Sequence, residues 1–249
     1  MLVLVNWDWI GFKAMLEINK IHLGNTYELI KEIDDKSIDL VVIDPPYEID
    51  VEHGGGKNSI TKRTIFQKGD LKPIAKGFDF PTLFDEFQRV CKLFNVFCFC
   101  SNSQISKLMM WGEGHNYQTT LLVWNKYNSI PFANGTWRQD AEFIVHIREK
   151  GAPLYGNAEL KRKVKRLPIE TKGKKWGHPT PKPLPLIKDY IEIGSKEGDL
   201  VLDCFSGSGT TAVACKELNR NFICIEKEEK YWKASNERLA ETFKQGILF

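Results

Sequence analysis

The chain has no long apolar run. The longest, such as Leu40 to Ile43 and Val96 to Cys100, fall far below the roughly 20 residues that a membrane-spanning helix needs, so no membrane association is expected. The start, Met1-Leu-Val-Leu-Val-Asn-Trp, carries no basic stretch ahead of its apolar residues and no small-residue cleavage site, which argues against a secretory signal. Six cysteines (Cys91, Cys98, Cys100, Cys204, Cys215, Cys224) show no CxxC spacing, and four sit inside apolar stretches. Thiols placed this way behave as small hydrophobes and suit a reducing, cytoplasmic setting. The five histidines (His22, His53, His115, His146, His178) are too scattered for a ligand signature, so no metal is expected. No GK[ST] sequence completes the glycine-rich turn that follows a strand, which argues against a P-loop.

What is present is enough for a sizeable core: 249 residues, 42% hydrophobic and 12% aromatic, exclude disorder, collagen and coiled coil and point to one domain or at most two. The net charge of +3 conceals an uneven distribution. Arg148 to Lys175 holds ten basic residues against three acids, a local +7 that leaves −4 elsewhere. Lys57 to Lys76 carries six basic residues against Asp70 alone and follows Gly54-Gly55-Gly56, a composition expected of a mobile loop. Both segments have the character of polyanion contacts, with a solvated basic loop as the bland reading of either alone. The basic residues singled out for a nucleic-acid backbone are Lys57, Lys62, Arg63, Arg138, Lys161, Arg162, Lys163, Lys165 and Arg166.

Strand and helix signals alternate. Ile18 to Leu23 predicts a strand, and Thr26 an N-cap for a helix with Leu29, Ile30 and Ile33 on its apolar face. Ile38 to Ile43 is a buried strand. Pro81 opens a helix with Leu83, Phe84, Phe87, Val90 and Phe94 at helical spacing, Asn95 to Cys100 is a strand, a helix follows near 103 to 112, and strands follow at 117 to 124 and Ala141 to Ile147. The basic segment has little periodicity. Beyond Pro183 come a helix ending at Gly194, the strand Leu200 to Asp203, a helix over about 209 to 218, the strand Asn221 to Glu226 and a last helix. This pattern predicts a single α/β domain over 1–249. Its sheet is mostly parallel, doubly wound and covered on both faces, with inserted loops at 48–80 and 148–177.

Two segments carry the chemistry. Asp203-Cys-Phe205-Ser206-Gly207-Ser208-Gly209-Thr210-Thr211-Ala212 follows a strand and opens a helix, and Glu226 ends the next strand. The glycines permit a tight turn and close backbone approach to a ligand, and an acid at the second strand end can accept from ribose hydroxyls. Alone, the GxGxxA pattern also fits a dinucleotide site. The other segment, Asp44-Pro45-Pro46-Tyr47, sits just past the strand ending at Ile43, at the edge where open α/β sheets bind ligands. An amino group there can donate one proton to Asp44 and another to the Pro45 carbonyl, while Tyr47 stacks on the ring that carries it.

Together the two segments resemble the S-adenosylmethionine-dependent amino-methyltransferases of DNA, which make N6-methyladenine or N4-methylcytosine. Their signature pair is (Asp/Asn/Ser)-Pro-Pro-(Tyr/Phe/Trp) and Phe-x-Gly-x-Gly. The tetrad comes first here and the cofactor turn last, an order similar to the circularly permuted beta class, and the resemblance runs from Ile18 to Leu239. It implies a Rossmann-like sheet, S-adenosylmethionine as methyl donor and double-stranded DNA as substrate. His178-Pro-Thr180-Pro181-Lys182-Pro183 looks like the segment that helps hold the cofactor's methionine. Leu23-Gly24-Asn25 looks like the strand end beside its adenine. Val123 to Lys126 and Arg138 to Phe143 resemble the target-side strands, and about 150 to 177 the target-recognition region. Asn25 stands where an acid is common, and Pro181 where glutamine is common.

The resemblance implies that the target base is turned out of the duplex. Flipping costs a few kcal/mol, of which stacking on Tyr47 returns roughly 1–3 kcal/mol, and phosphate contacts supply the rest. Asp44 and Pro45 would align the amine for in-line attack, with Asp44 also near the cofactor. Asp44, rather than serine, leans toward adenine N6, with cytosine N4 as the alternative. Cytosine C5 methylation is disfavoured because no Pro-Cys dipeptide offers its thiolate nucleophile. A NAD-dependent oxidoreductase fits less well, since only forty residues follow Gly209 and the tetrad would have no role. A non-catalytic nucleic-acid-binding module rests on the +7 segment alone. RNA and protein-glutamine methylation belong to families with the unpermuted order. Members of the subgroup often pair as homodimers; the recognition sequence and any restriction enzyme partner are not legible in these residues.

Overall fold

The computed structural model describes residues 16–47, 78–129, 137–170 and 180–245. Strand β1 (Lys20–Leu23) leads into a short helix α1 (Thr26–Leu29) and a 3-10 turn (Ile30–Glu32), then β2 (Leu40–Ile43). After α2 (Phe80–Val90) come β3 (Asn95–Cys100), α3 (Asn102–Gly114), β4 (Gln118–Lys126), β5 (Ala141–Arg148) and β6 (Val164–Leu167). The chain closes with α4 (Leu184–Gly194), β7 (Leu200–Asp203), α5 (Thr210–Glu217), β8 (Asn221–Glu226) and α6 (Glu229–Gln245).

The eight strands form one sheet in the order β1-β8-β7-β2-β3-β5-β4-β6. Only β5 runs against the others, paired antiparallel to β3 and β4. The first strand thus lies beside the last: β1 pairs with β8 from Lys20↔Ile223 to Leu23↔Glu226. Strand β2 is buried along its whole length, as parallel strands covered on both faces must be. Its side chains alternate between two cores. Leu40 and Val42 join the layer made by α4, α5 and α6, with Ile187, Tyr190, Ala212 and Leu239. Val41 and Ile43 join the layer made by α2 and α3, with Phe84, Phe87 and Leu108. Both layers place apolar residues at helical spacing against the sheet, each such side chain worth about 1.5–3 kcal/mol when fully buried. All six cysteines are buried and free, packed as hydrophobes on one face or the other. Among the described residues no helix is long and apolar enough to cross a membrane.

Two local expectations are corrected. Asn25, not Thr26, caps α1: its backbone is extended and its side chain accepts from the Tyr27 N–H at 2.9 Å. Thr26 is buried instead, and its hydroxyl donates to the Cys204 carbonyl at 2.6 Å, which ties the end of β1 to the end of β7. The basic segment is also not simply a loop. Val164–Leu167 adds an edge strand to β4; of its two inward side chains, Lys165 is charged and only Leu167, half-buried against the core, is apolar, so no apolar alternation marks it. Of the expected loop at 48–80, residues 48–77 lie outside the described residues.

Candidate active site

The site begins where the chain reverses its winding direction. From β2 the chain crosses through α2 to β3 on one side, and from β7 it crosses through α5 to β8 on the other, while β2 and β7 are hydrogen-bonded neighbours, Val41 opposite Leu202. Ligands bind outside the C-terminal strand ends at such a switch point, because the diverging connections leave a crevice. Here the crevice is a cavity of about 540 Å³ lined from one side by Asp44 to Tyr47 and from the other by Asp203 to Ser208. The two segments singled out in the sequence therefore face one space. Asn25, Thr180, Lys182, Thr210, Thr211 and Glu226 line it too. Gly209 sits behind the lining as the N-cap of α5, and His178 lies outside the described residues.

On the β7 side the turn is held mainly through its backbone. Gly207 and Gly209 have φ of +50° and +73°, a region that glycine enters without steric cost. A Cβ on Gly209 would stand 2.8 Å from Ser235 Cβ on α6, so glycine is also what lets helix and turn approach. The Gly207 N–H donates to Glu226 Oε2 at 2.7 Å and the Glu228 N–H to Glu226 Oε1 at 2.8 Å. Each oxygen keeps a further lone pair for a ligand hydroxyl. Burial raises the Glu226 pKa, with these N–H donors opposing. Burial likewise lifts Asp203 to about 7, against hydrogen bonds from the Thr211 side chain and the Phe205 N–H. Arg238, which no motif reveals, reaches from α6 to Ser208 O at 3.0 Å and Thr210 Oγ1 at 2.9 Å and braces the turn.

The β2 side is built from charged side chains. Lys182, just ahead of α4, places Nζ 2.5 Å from Asp44 Oδ2 and 2.8 Å from Glu142 Oε1. Glu142 belongs to β5, and because that strand alone is reversed, its start lies at the edge where the other strands end. Its second oxygen, Oε2, takes Lys126 Nζ from the end of β4 at 2.6 Å. The Tyr47 hydroxyl lies 2.6 Å from Glu142 Oε1 and 2.9 Å from Asp44 Oδ1. Gln104 on α3 donates to the Pro46 carbonyl at 3.4 Å. Desolvation raises the Asp44 pKa; Lys182 opposes it and Glu142 adds to it. For Glu142 burial acts in the same direction, but Lys182 and Lys126 outweigh it and hold the carboxyl well below the usual range. The ammonium of Lys182 is desolvated as well, yet Asp44 and Glu142 keep it charged. Lys182, expected beside the cofactor, thus commits its charge to the tetrad. Glu142 and Lys126 were seen in the sequence only as part of target-side strands.

The basic residues do not act as one patch. Lys161, Arg162, Lys163 and Arg166 are exposed, Arg162 paired with Glu159 at 2.8 Å and Arg166 over the Tyr127 ring at 5.6 Å. Lys161, Arg162 and Lys163 border a second cavity, beside the start of β4 and the end of β5, at the other end of those strands from Lys126 and Glu142. Lys165 is a correction: it is buried, 2.7 Å from Asp189 on α4, and fastens β6 to that helix instead of meeting phosphate. Arg138 is exposed but donates to Ser129 O at 2.8 Å and Ser129 Oγ at 2.9 Å, bridging the β4–β5 connection. Lys57, Lys62 and Arg63 lie outside the described residues.

A family model described as DNA methylase, of the N6/N4 type, matches residues 38–237. The chain belongs to this N6/N4 DNA methylase family. It is similar to the Type II methyltransferase M1.MboII of Moraxella bovis, 29% identical over 89% of this chain and 96% of that protein. It is likewise similar to the Type II methyltransferase M2.DpnII of Streptococcus pneumoniae, 29% identical over 87% of each. Among solved structures, that of M1.HpyAVI in complex with SAM superposes with a TM-score of 0.64 at 26% identity, covering 88% of this chain and 98% of that one. The PvuII cytosine-N4-specific DNA methyltransferase shares the fold, with a TM-score of 0.68 at 14% identity over 93% of both chains. The sheet is the Rossmann-like sheet of S-adenosylmethionine-dependent DNA methyltransferases. The cofactor of this methylase is S-adenosylmethionine, and its substrate is DNA. The donor set fits that cofactor: two carboxylates, Asp203 and Glu226, with the main chain of the glycine turn between them and the Phe205 ring beside it.

Proposed function

We propose that this DNA methylase transfers the methyl group to the exocyclic N6 of an adenine turned out of double-stranded DNA. One observation carries the reading: the tip of β2, with Asp44 and the Pro45 carbonyl, faces the glycine turn of β7 across a single cavity. S-adenosylmethionine supplies an electrophilic methyl carbon. Glu226, Asp203 and the turn hold the cofactor, with Asn25, Thr180, Phe205, Ser206, Gly207, Ser208, Thr210 and Thr211 around it. Asp44 and the Pro45 carbonyl accept from the two amine hydrogens, which turns the nitrogen lone pair toward the donor. Tyr47 stacks on the base, and most of the acceleration comes from this positioning.

Asp44 at the head of the tetrad favours adenine over cytosine, whose N4 is the second reading. Exposed Arg166 and Tyr127, with Trp137 at 92% exposure, stand near the ends of β4 and β5 on the same rim as Glu142. They supply the charge and ring faces that a nucleic acid uses. The region 148–177 is the proposed target-recognition segment, and a place in a restriction-modification system follows from the Type II relatives. Incubation with unmethylated genomic DNA and methyl-labelled S-adenosylmethionine, followed by digestion to nucleosides, tests the reading. Label in N6-methyladenine supports it; label in N4-methylcytosine replaces it with the second reading; unlabelled DNA refutes methyl transfer to either base.

A further inference from the structure

The Tyr47 hydroxyl has one proton and two carboxylate neighbours, Glu142 Oε1 at 2.6 Å and Asp44 Oδ1 at 2.9 Å. Where that proton goes decides what Asp44 offers an incoming amine. Given to Asp44, it takes one lone pair of Oδ1 and weakens that oxygen as an acceptor for the amine. Given to Glu142, it leaves Oδ1 an acceptor, with Lys182 already seated on Oδ2. The contact to Glu142 is the shorter, and Glu142 is buried between Lys126 on Oε2 and Lys182 on Oε1, which keeps it an anion and a strong acceptor. We propose that Glu142 is a positioning residue for methyl transfer: it draws the Tyr47 proton away from Asp44, leaving Asp44 Oδ1 for the target amino group and fixing the Tyr47 ring for stacking. This rests on the amino-methyltransferase reading above and adds a residue to it.

The proposal requires a particular pattern among variants. In Glu142→Gln the acceptor is weakened, because an amide between Lys126 and Lys182 must turn its NH2 toward a cation or toward Tyr47. The tyrosine proton then moves to Asp44 Oδ1 and competes with substrate. The expected loss in kcat is roughly 10- to 100-fold, the worth of one hydrogen bond to a charged group. Tyr47→Phe keeps the ring and removes the competing proton, and its own activity sets the level against which the double variant is read. Combined with Glu142→Gln it restores activity to near its own level. A merely structural role for Glu142 predicts the reverse, a double variant at least as impaired as Glu142→Gln.

The experiment measures kcat for the wild type, both single variants and the double variant on unmethylated genomic DNA, with S-adenosylmethionine binding by calorimetry as the check on folding. Glu142→Asp, which keeps the negative charge but draws the carboxylate back from the Tyr47 hydroxyl, gives a smaller loss of the same kind and the same rescue by Tyr47→Phe. It keeps the test standing where Glu142→Gln does not fold. Rescue supports the proposal. Additive loss in the double variant, or full activity in Glu142→Gln, overturns it. A wild type that binds cofactor but methylates no DNA would instead refute the methyltransferase reading itself.

Discussion

Across the cavity the β7 side and the β2 side solve different problems with different materials. The β7 side meets its ligand with a turn: positive-φ glycines, N–H donors to Glu226, and a helix packed close enough to exclude a Cβ. The β2 side meets it with charge, two anions and two cations drawn from the end of β2, β4, β5 and the segment before α4, chained by ion pairs of 2.5–2.8 Å. A turn binds a cofactor that is the same in every turnover. A charged cluster must change its hydrogen bonding when a base arrives, and four mutually neutralising groups can do so without exposing a bare charge. The difference teaches that affinity for the cofactor and reactivity toward the amine are separable by mutation.

The largest effects should come from breaking that separation. Asp44→Ala or Tyr47→Ala is expected to lower methylation by about a thousandfold or more, the scale of lost alignment at a reacting atom. S-adenosylmethionine binding, measured by calorimetry, should change little. Full activity in Asp44→Ala would refute its role, and loss of cofactor binding would show that the two sides are one unit. Next in size is the mirror experiment. Gly209→Ala forces an L-residue to φ +73° and a Cβ to 2.8 Å from Ser235, a backbone cost of about 1–2 kcal/mol. Melting should fall by roughly 2–8 °C and cofactor affinity should drop, while DNA affinity without cofactor is retained.

How much of this was legible depended on whether a feature is contiguous. The tetrad and the glycine turn each lie in one run of sequence after an apolar strand, and both were found. Glu142, Lys126 and Lys182 are scattered along the chain and meet only because β5 is inserted in reverse between β3 and β4; nothing in their local spacing announces a cluster. The capping of α1 by Asn25 was misread because Asn25 and Thr26 are both good caps, and the choice is set by tertiary contacts, the Gly24 N–H to Glu226 O and the Thr26 hydroxyl to Cys204 O. Strand β6 is short and carries no apolar alternation, since Lys165, the more buried of its two inward residues, is charged and finds its partner on α4.

Smaller effects sharpen the comparison. Asp203 is held near 7 by burial, so its charge disappears as pH falls through that value. Because its anion favours a cationic ligand, cofactor affinity should decline from pH 8 to pH 6 and at most tenfold per unit, whereas Asp203→Asn should bind weakly and without that dependence. A flat profile in the wild type would remove Asp203 from the cofactor's surroundings. The smallest effects concern the basic segment. Neutralising Lys161, Arg162, Lys163 and Arg166 should flatten the salt dependence of DNA affinity by a log-log slope of about 0.9 for each phosphate that the protein no longer neutralises. Lys165→Gln should leave the slope alone and cost about 1–2 kcal/mol of stability, less than a fully buried pair because Asp189 keeps 28% of its side-chain surface. An unchanged slope in the first variant would show that those side chains face away from DNA.

The most direct test of the shared cavity is a structure of the enzyme with duplex DNA and an unreactive S-adenosylmethionine analogue. The flipped adenine should be stacked on Tyr47, its N6 within hydrogen-bond reach of Asp44 Oδ1 and the Pro45 carbonyl, and the analogue should lie on the Asp203–Thr211 turn facing that nitrogen. An analogue bound there with the target amine held elsewhere, away from Asp44, would contradict the account.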